Sequence, residues 1–300
     1  MKVIFIVRLL GLMSEMKSMH GMTRELNTKE SIKNIAQICN LELEEIPHCD
    51  TINDVFEKIK VEEIEEIRKY MINKLIRGKI IQKYKIRDKY YHIVVDGTGL
   101  ATSRKKYNEN CLVKNKMDKN GNEYQEYSTY VLEAKLIVGE MVFSIGSEFV
   151  ENTEKNESKQ DCEIRAFKRL AEKINVIKYT DVKKNTEFVY ITDLPVRNQN
   201  IEETINVGRN RWKIENKGFN IQKNGMFDIG HLYSKNQTAI KVHYLLIQIA
   251  HMLRQMLENG IKEIKDLHLK IKEVSQKIKE ELTSTITNLT VHKKIQLRFE

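Results

Sequence analysis

Cysteine, proline and tryptophan are scarce in this chain, with four, two and one among 300 residues. The cysteines form no C-x-x-C pair, and the eight histidines form no H-x-x-x-H or H-E-x-x-H set. These absences argue against a zinc ribbon, a zinc finger or a zinc protease. Sparse cysteine also suits a reducing compartment, so we expect a cytoplasmic protein.

Long apolar runs are lacking too. The longest near the start, Val3–Val7, is interrupted by Arg8, and no small-residue cleavage site follows. This stretch is too short to span a bilayer and does not resemble a signal peptide, so it predicts a buried N-terminal helix and no membrane partner. The chain also contains no P-loop, no G-x-G-x-x-G after a strand and no G-x-S-x-G, so nucleotide-binding and serine-hydrolase functions lack support.

Basic residues outnumber acidic ones, 51 to 42, which gives a net charge of +9 and an isoelectric point near 9.1. Such a balance favours an anionic partner, of which nucleic acid is the commonest. A basic protein with an ordinary solvated surface is the alternative. The hydrophobic content of 41% is enough to form a core.

Helical patterns dominate residues 1–88. Thr28 is placed to cap one helix, Asp50-Thr51 to cap a second, and Val61–Ile76 predicts a third. Pro47 separates the first two.

The pattern changes to strands after residue 88. Tyr90–Val95, Tyr127–Val138 and Met141–Val150 read as strands, and Phe188–Thr192 reads as a fourth after a helix that begins at Ser158. A polar loop with an Asn-Gly turn separates the first two strands, and a Gly-Glu turn joins the second to the third.

The C-terminal part, residues 225–300, is predicted to be helical again. Ala239–Leu257 is apolar nearly all round and predicts a buried helix, whereas Ile261–Leu282 is amphipathic and basic. The fold class is therefore α/β (α+β), with a mixed sheet over residues 89–224 flanked by helical regions on both sides.

The segment from Arg209 to Lys223 carries the most chemical information. It reads as one helix and places Glu215 among five basic side chains and beside the only tryptophan, Trp212. Arg211, Glu215 and Gln222 would form one stripe, with Trp212 and Phe219 packing inward from the next. A carboxylate in a basic setting suits metal-dependent phosphodiester chemistry. The alternative is an ordinary i,i+4 ion pair between Arg211 and Glu215, contributing about 0.3–0.5 kcal/mol.

Three further carboxylates follow predicted strands. Asp96 closes the first strand and precedes Gly-Thr-Gly, Asp193 closes the fourth, and Asp181 is a weaker candidate of the same kind. A carboxylate at the end of a strand projects into the cleft where metal and substrate can meet. A plain turn without chemistry is the alternative reading for each.

Together these motifs resemble the DDE-type transposases of bacterial insertion sequences, which have an RNase H-like core. The similarity covers residues 90–260 and rests most specifically on Arg211-Trp212-x-Ile214-Glu215-x-x-x-Phe219, with Ile93–Thr98 and Ile191–Pro195 as further matches. The resemblance implies metal-dependent cleavage and strand transfer of double-stranded DNA by carboxylates that hold Mg²⁺ or Mn²⁺. Asp96 and Glu215 map onto two of these metal ligands.

The same resemblance implies further roles and two departures. DNA contacts are expected from Arg209, Arg211, Trp212, Lys217 and Lys223, and the helical region 1–88 is expected to be a DNA-binding segment. The protein is expected to act as a homodimer on DNA in the nucleoid. Gly208 and Gln222 replace the tyrosine and lysine of the family's tyrosine-arginine-glutamate-lysine motif. The strand that carries the second metal-binding Asp has no counterpart, so we infer an internal deletion near residues 175–187. Asp193 is then the first candidate for the vacant catalytic position, with Asp181 or no third ligand as the alternatives. An inactive remnant that only binds DNA is the alternative function.

Overall fold

The computed structural model of the chain describes residues 1–152, 161–173, 207–208 and 210–285. The described part is a mixed α/β structure in which helices surround one sheet. Its α-helices are α1 (Lys2–Met13), α2 (Met19–Leu26), α3 (Lys29–Cys39), α4 (Cys49–Lys58), α5 (Val61–Arg77), α6 (Glu163–Lys173), α7 (Gln237–Gly260), α8 (Lys262–Lys265) and α9 (Ile271–Thr283). The predicted strand Phe188–Thr192 and the residues 175–187 lie outside the described ranges.

The sheet contains β1 (Ile93–Ser103), β2 (Leu112–Met117), β3 (Glu123–Val138) and β4 (Met141–Val150), all antiparallel to their partners. The long strand β3 is central: β1 pairs along one edge, and β2 and β4 share the other. The two predicted turns are confirmed, and both place a glycine at positive φ, Gly121 at 82° and Gly139 at 61°. The predicted polar loop is wrong in part, because Leu112–Met117 pairs with the start of β3.

Both faces of the sheet are covered by helices. On one face, Leu132 and Ala134 of β3 pack against Ala166 and Leu170 of α6. Because side chains alternate along a strand, Glu133 and Lys135 point to the opposite face. There they meet the buried helix α7, where Glu133 accepts a hydrogen bond from Tyr244 and Lys135 donates one to Gln248.

Glu133 is a fully buried carboxylate, and its surroundings explain how the fold accommodates it. It accepts hydrogen bonds from Ser144 and, at 2.6 Å, from Ser147, while Arg68 of α5 donates to both of those serines. With the bond from Tyr244, every oxygen of the carboxylate has a donor. An unpaired charge buried at this position would cost several kcal/mol, and the hydrogen bonds to Glu133 remove that cost. Because the donors lie on different elements, the same network joins α5, β3, β4 and α7.

The N-terminal helices share a hydrophobic cluster with α7, to which Val7, Ile35, Phe56 and Leu246 contribute. The buried N-terminal helix, the Thr28 cap and the third helix are confirmed, with Thr28 Oγ1 accepting from the Ser31 N–H at 3.3 Å. The second cap was wrongly placed: its N-cap is His48, two residues before the predicted Asp50-Thr51, so α4 begins at Cys49.

The C-terminal prediction is confirmed for α7, which is buried over most of its length. The predicted amphipathic helix Ile261–Leu282 is instead interrupted, because residues 266–268 form a turn with His268 at positive φ. None of the described helices is both long and apolar enough to cross a membrane.

Candidate carboxylate site on strand β1

Asp96 lies within β1 rather than at its end. The predicted strand ended at Val95, but β1 continues through Gly97 and Gly99 to Ser103, because β3 pairs with it over its whole length. Asp96 shares a face of the strand with Val94. Val94 is buried against Ile214 and Phe219. The start of the helical segment that carries Glu215 (residues 210–225, called the Glu215 segment) therefore packs beside Asp96.

The Glu215 segment is π-helical in this structure, over Ile214–Phe219 and Ile221–Gly225. The prediction of one regular helix is therefore wrong in geometry, although the segment is helical. In a π-helix the hydrogen bonds run from residue i to i+5, and such segments are frequent at functional sites. Ile214 and Phe219, five residues apart, are both fully buried, which leaves Glu215 exposed to solvent.

Arg211 binds Asp96 directly. Its Nη1 atom lies 3.0 Å from Oδ2 of Asp96, while the backbone N–H of Gly97 donates to Oδ1 at 3.0 Å. Asp96 is about a quarter exposed and Arg211 more than half, so the pair lies open to solvent. Each oxygen of the Asp96 carboxylate thus has a hydrogen-bond donor. The Gly97 N–H is fixed in the backbone, whereas the exposed Arg211 guanidinium can move away from Asp96.

Tyr130 lies close enough to three carboxylates for their charges to act on its hydroxyl. Burial raises the pKa of its hydroxyl well above the usual value, and a hydrogen bond to Glu163 with the negative charges of Glu163, Asp96 and Glu215 raises it further. Glu163 is the first residue of α6 and is exposed. Asp96, Glu163 and Glu215 are therefore within electrostatic range of one neutral hydroxyl, although far apart in sequence.

Gly97 allows the Tyr130 ring to reach this position. A Cβ at residue 97 would lie 2.5 Å from Cε1 and 2.6 Å from the hydroxyl oxygen of Tyr130. Neither Tyr130 nor the role of Glu163 was singled out from the sequence. The signal available was the register: Tyr130 pairs with Gly99, so its ring lies over Gly97, the residue that follows Asp96.

Gln222 anchors the segment to the core. It is fully buried, and its amide exchanges hydrogen bonds with Gln248 at 2.9 and 3.1 Å and contacts Nδ1 of His251 at 3.0 Å. The predicted stripe of Arg211, Glu215 and Gln222 is therefore wrong, since Gln222 points inward while the other two are exposed. π-Helical winding rotates Gln222 away from Glu215.

Two lysines of the segment fasten it to the turn between β3 and β4. Lys213 donates to Oε1 of Glu140 at 2.8 Å and to the carbonyl of Gly139 at 2.9 Å. Lys217 lies 3.8 Å from Oε2 of the same Glu140. The hydrogen bond from Lys213 and the two positive charges lower the pKa of Glu140.

The remaining predicted DNA contacts are distributed along the exposed side. Trp212 is 47% exposed, so the prediction that it packs inward is wrong; Phe219 alone fills that place. The indole of Trp212 is partly open to solvent, with Nζ of Lys213 5.9 Å from the ring centre, while Ile214 and Phe219 supply the buried side of the segment. Lys223 is half-buried. Arg209, Asp181 and Asp193 lie outside the described residues.

The described carboxylates around Asp96 do not form a tight three-ligand cluster. Within the described ranges, the group of three His, Cys, Asp or Glu side chains whose ligand atoms all lie within 4.8 Å of one another is His20, His48 and Cys49, remote from Asp96 in the chain. In comparisons with known proteins, no family model, no curated protein and no solved structure matches this chain.

Proposed function

We propose that this protein is a transposase of the DDE type, which cuts and joins DNA phosphodiesters with the help of a divalent metal ion. The observation that carries the proposal is the meeting of Asp96 on β1 with the Glu215 segment, where Arg211 hydrogen-bonds Asp96 at 3.0 Å. Asp96 and Glu215 come from distant parts of the chain and both act electrostatically on Tyr130. Two such carboxylates in a basic protein suit that chemistry.

The donor set fits Mg²⁺ or Mn²⁺. Mg²⁺ is commonly held by one or two carboxylates together with waters and substrate phosphates, so Asp96 and Glu215 are sufficient in chemical type. Both are open to solvent, which leaves room for DNA. When bound, the ion would activate the attacking hydroxyl group and stabilise the charge on the phosphodiester. Asp193 is retained as the candidate for a third carboxylate.

The protein's own residues have separable tasks in this proposal. Arg211 holds Asp96 until DNA arrives, and its planar guanidinium then suits a phosphate. Tyr130 keeps its proton because its pKa is raised, so it donates a hydrogen bond and adds no further negative charge beside the carboxylates. Lys213, bound to Gly139 and Glu140, keeps the segment in register with the sheet.

The proposed substrate is double-stranded DNA that carries the ends of the insertion sequence encoding the protein. Trp212, Lys217 and Lys223 present an aromatic ring and two cations on the segment that bears Glu215, and Arg209 adjoins them in sequence. Such a surface binds phosphates and stacks on unpaired bases. A homodimer acting on two ends, in the nucleoid of the cytoplasm, completes the proposal.

The test is cleavage of a labelled DNA duplex in Mg²⁺ and in Mn²⁺. The duplex carries the two ends of the insertion sequence that encodes the protein, read from the genome on either side of its gene. We expect metal-dependent nicking that is lost in Asp96→Asn and Glu215→Gln, while DNA binding persists. Asp54→Asn and Glu172→Gln are matched controls, because both positions are exposed and distant in sequence from the site. A Glu215→Gln variant that nicks at the wild-type rate would contradict the assignment.

A DNA-binding remnant without catalysis is the second candidate. It is favoured by the ion pair with Arg211, which occupies an oxygen of Asp96 that a metal would need. It predicts DNA binding with a steep salt dependence and no nicking in either metal. A chain that fails to bind DNA at any salt concentration would contradict both candidates.

A further inference from the structure

A second group of ligand-type side chains lies between α2 and α4, at the opposite end of the sequence from the Glu215 segment. His20 is in the first turn of α2, His48 is the N-cap of α4, and Cys49 is the first residue of α4. One ligand atom of each lies within 4.8 Å of the others. The two imidazole rings meet edge to face, with their centroids 5.4 Å apart.

The distances are close to those of a tetrahedral metal site. Zn–N bonds of about 2.0–2.1 Å and a Zn–S bond of about 2.3 Å, at a tetrahedral angle, separate nitrogen and sulfur by roughly 3.6 Å. Sγ of Cys49 lies 3.8 Å from either ring nitrogen of His48. The separation is close to that of two ligands of one ion, but the sulfur is equally far from both nitrogens, so the exposed His48 ring must rotate to turn one lone pair toward that ion.

A carboxylate already supports one of the histidines. Nδ1 of His48 lies 3.3 Å from Oδ2 of Asp50, and 3.4 Å from the backbone N–H of the same residue. In the cap of α4, Nδ1 accepts a hydrogen bond from that N–H. When Nδ1 carries the proton instead, the ring gives up this cap bond, donates to the carboxylate and offers the lone pair of Nε2 to an ion. Metal-binding histidines almost always have such a partner, which fixes the tautomer and raises the basicity of the ligand nitrogen.

The surroundings of the three ligands fit an ion that enters from solvent. Both histidines are exposed, so an ion can reach them, while Cys49 is buried with 6% of its surface accessible. The sulfur closes the inner side of the group, and the open side leaves a position for water. Two imidazoles and one thiolate suit Zn²⁺ better than Mg²⁺ or Ca²⁺, which prefer oxygen ligands.

We propose that His20, His48 and Cys49 bind one divalent transition metal ion, Zn²⁺ by the character of the donors, with water as the fourth ligand. On binding, the Cys49 thiol releases its proton to solvent and the resulting thiolate forms the S–Zn bond, so no oxidant or reductant takes part. The ion joins α2 to α4. This site is independent of Asp96 and Glu215 and does not rest on the proposed DNA cleavage.

Sequence patterns did not indicate this site because its ligands come from separate elements. His20 and His48 are not spaced as in any short zinc motif, and Cys49 has no cysteine nearby. Folding places α2 against α4, and His48 and Cys49 lie at the start of α4, where the His48 ring meets the His20 ring.

The experiment is a titration of the full-length, untagged protein, stripped with a chelator, with Co²⁺ followed by competition with Zn²⁺. We expect one ion per chain, the absorption of tetrahedral Co²⁺ and a thiolate-to-cobalt charge-transfer band. Cys49→Ser should remove the band. Loss of a hydrogen bond that only supports a metal ligand weakens metal binding by about 10–100-fold. His20→Gln removes a ligand itself, so it should weaken Zn²⁺ binding by at least this factor. Cys162→Ser and His231→Gln, both at exposed positions, are the matched controls.

Sub-stoichiometric uptake of Co²⁺, or equal Zn²⁺ affinity in wild type and His20→Gln, would overturn the proposal. If Cys49→Ser fails to fold, His20→Gln still decides, because the His20 ring is exposed and its loss removes little buried area. A rise of Tm with Zn²⁺ in wild type, absent in His20→Gln and retained in both controls, is the second expected readout.

Discussion

Lys135 gives a stability prediction whose size follows from the structure. It is fully buried beneath the Glu215 segment, with Nζ 3.2 Å from Oε1 of Gln248 and 5.1 Å from the centre of the Phe219 ring. Burial lowers its pKa from 10.5 to about 8, while the charge of Glu133 acts in the opposite direction. The charged form of Lys135 therefore opposes folding.

The pH dependence follows from the direction of this shift. Between pH 8 and 10.5 the unfolded chain keeps the lysine proton that the folded protein has released, so the stability contributed by this group rises with pH. Below the folded-state pKa, Lys135 is protonated in both the folded and the unfolded protein. Its burial then lowers the free energy of unfolding by a constant amount. At 1.36 kcal/mol per pKa unit, this amount is about 3 kcal/mol.

Lys135→Met removes the titrating group and keeps most of its volume, and Gln248 keeps its bond from Gln222 at 2.9 Å. We expect the variant to be as stable as wild type or more stable at neutral pH. Between pH 8 and 10.5, the free energy of unfolding of wild type should rise by about 3 kcal/mol relative to that of the variant. Urea unfolding of both proteins across this window measures the difference. Other titrating groups cancel in the comparison, so parallel stability curves would refute the reasoning.

Three further outcomes are expected. Phe219→Ala should destabilise the protein by about 3–5 kcal/mol in urea unfolding, because the ring is fully buried; a loss under about 1 kcal/mol would contradict that packing. Gln222→Ala should cost about 1–3 kcal/mol in the same assay, since it leaves buried polar groups of α7 without partners, and an unchanged midpoint would argue against the network. Lys217→Ala and Lys223→Ala should each flatten the salt dependence of DNA binding by about 0.9 in log–log slope, unlike Lys272→Ala; equal slopes in all three would remove both lysines from the DNA surface.

Periodicity predicted the elements of this fold well where local patterns were strong. The helices α1, α3, α5 and α7 and the hairpin of β3 and β4 lie where apolar spacing and glycine turns placed them. The end of β1 was misjudged, because Gly97 and Gly99 read as a turn. Pairing with β3 overrides that local preference and extends the strand to Ser103.

The site was predictable only in part. Proximity of Asp96 and the Glu215 segment was implied by resemblance, and the Arg211 bond to Asp96 was not foreseen. Regular helical spacing misled the assignment of Gln222 and Trp212, since π-helical winding changes which side chains face inward. Tyr130 and Glu163 enter the site through strand register and helix docking, which are tertiary properties that spacing along the chain does not report.

The most direct test of the central claim is the nicking rate of DNA in Mg²⁺ or Mn²⁺ for wild type and Glu215→Gln, at concentrations where both bind DNA fully. The account predicts a metal-dependent rate in wild type and a loss of at least about 10²-fold in the variant, with Glu172→Gln unchanged. Equal rates in wild type and Glu215→Gln, or cleavage that persists in a chelator, would contradict it.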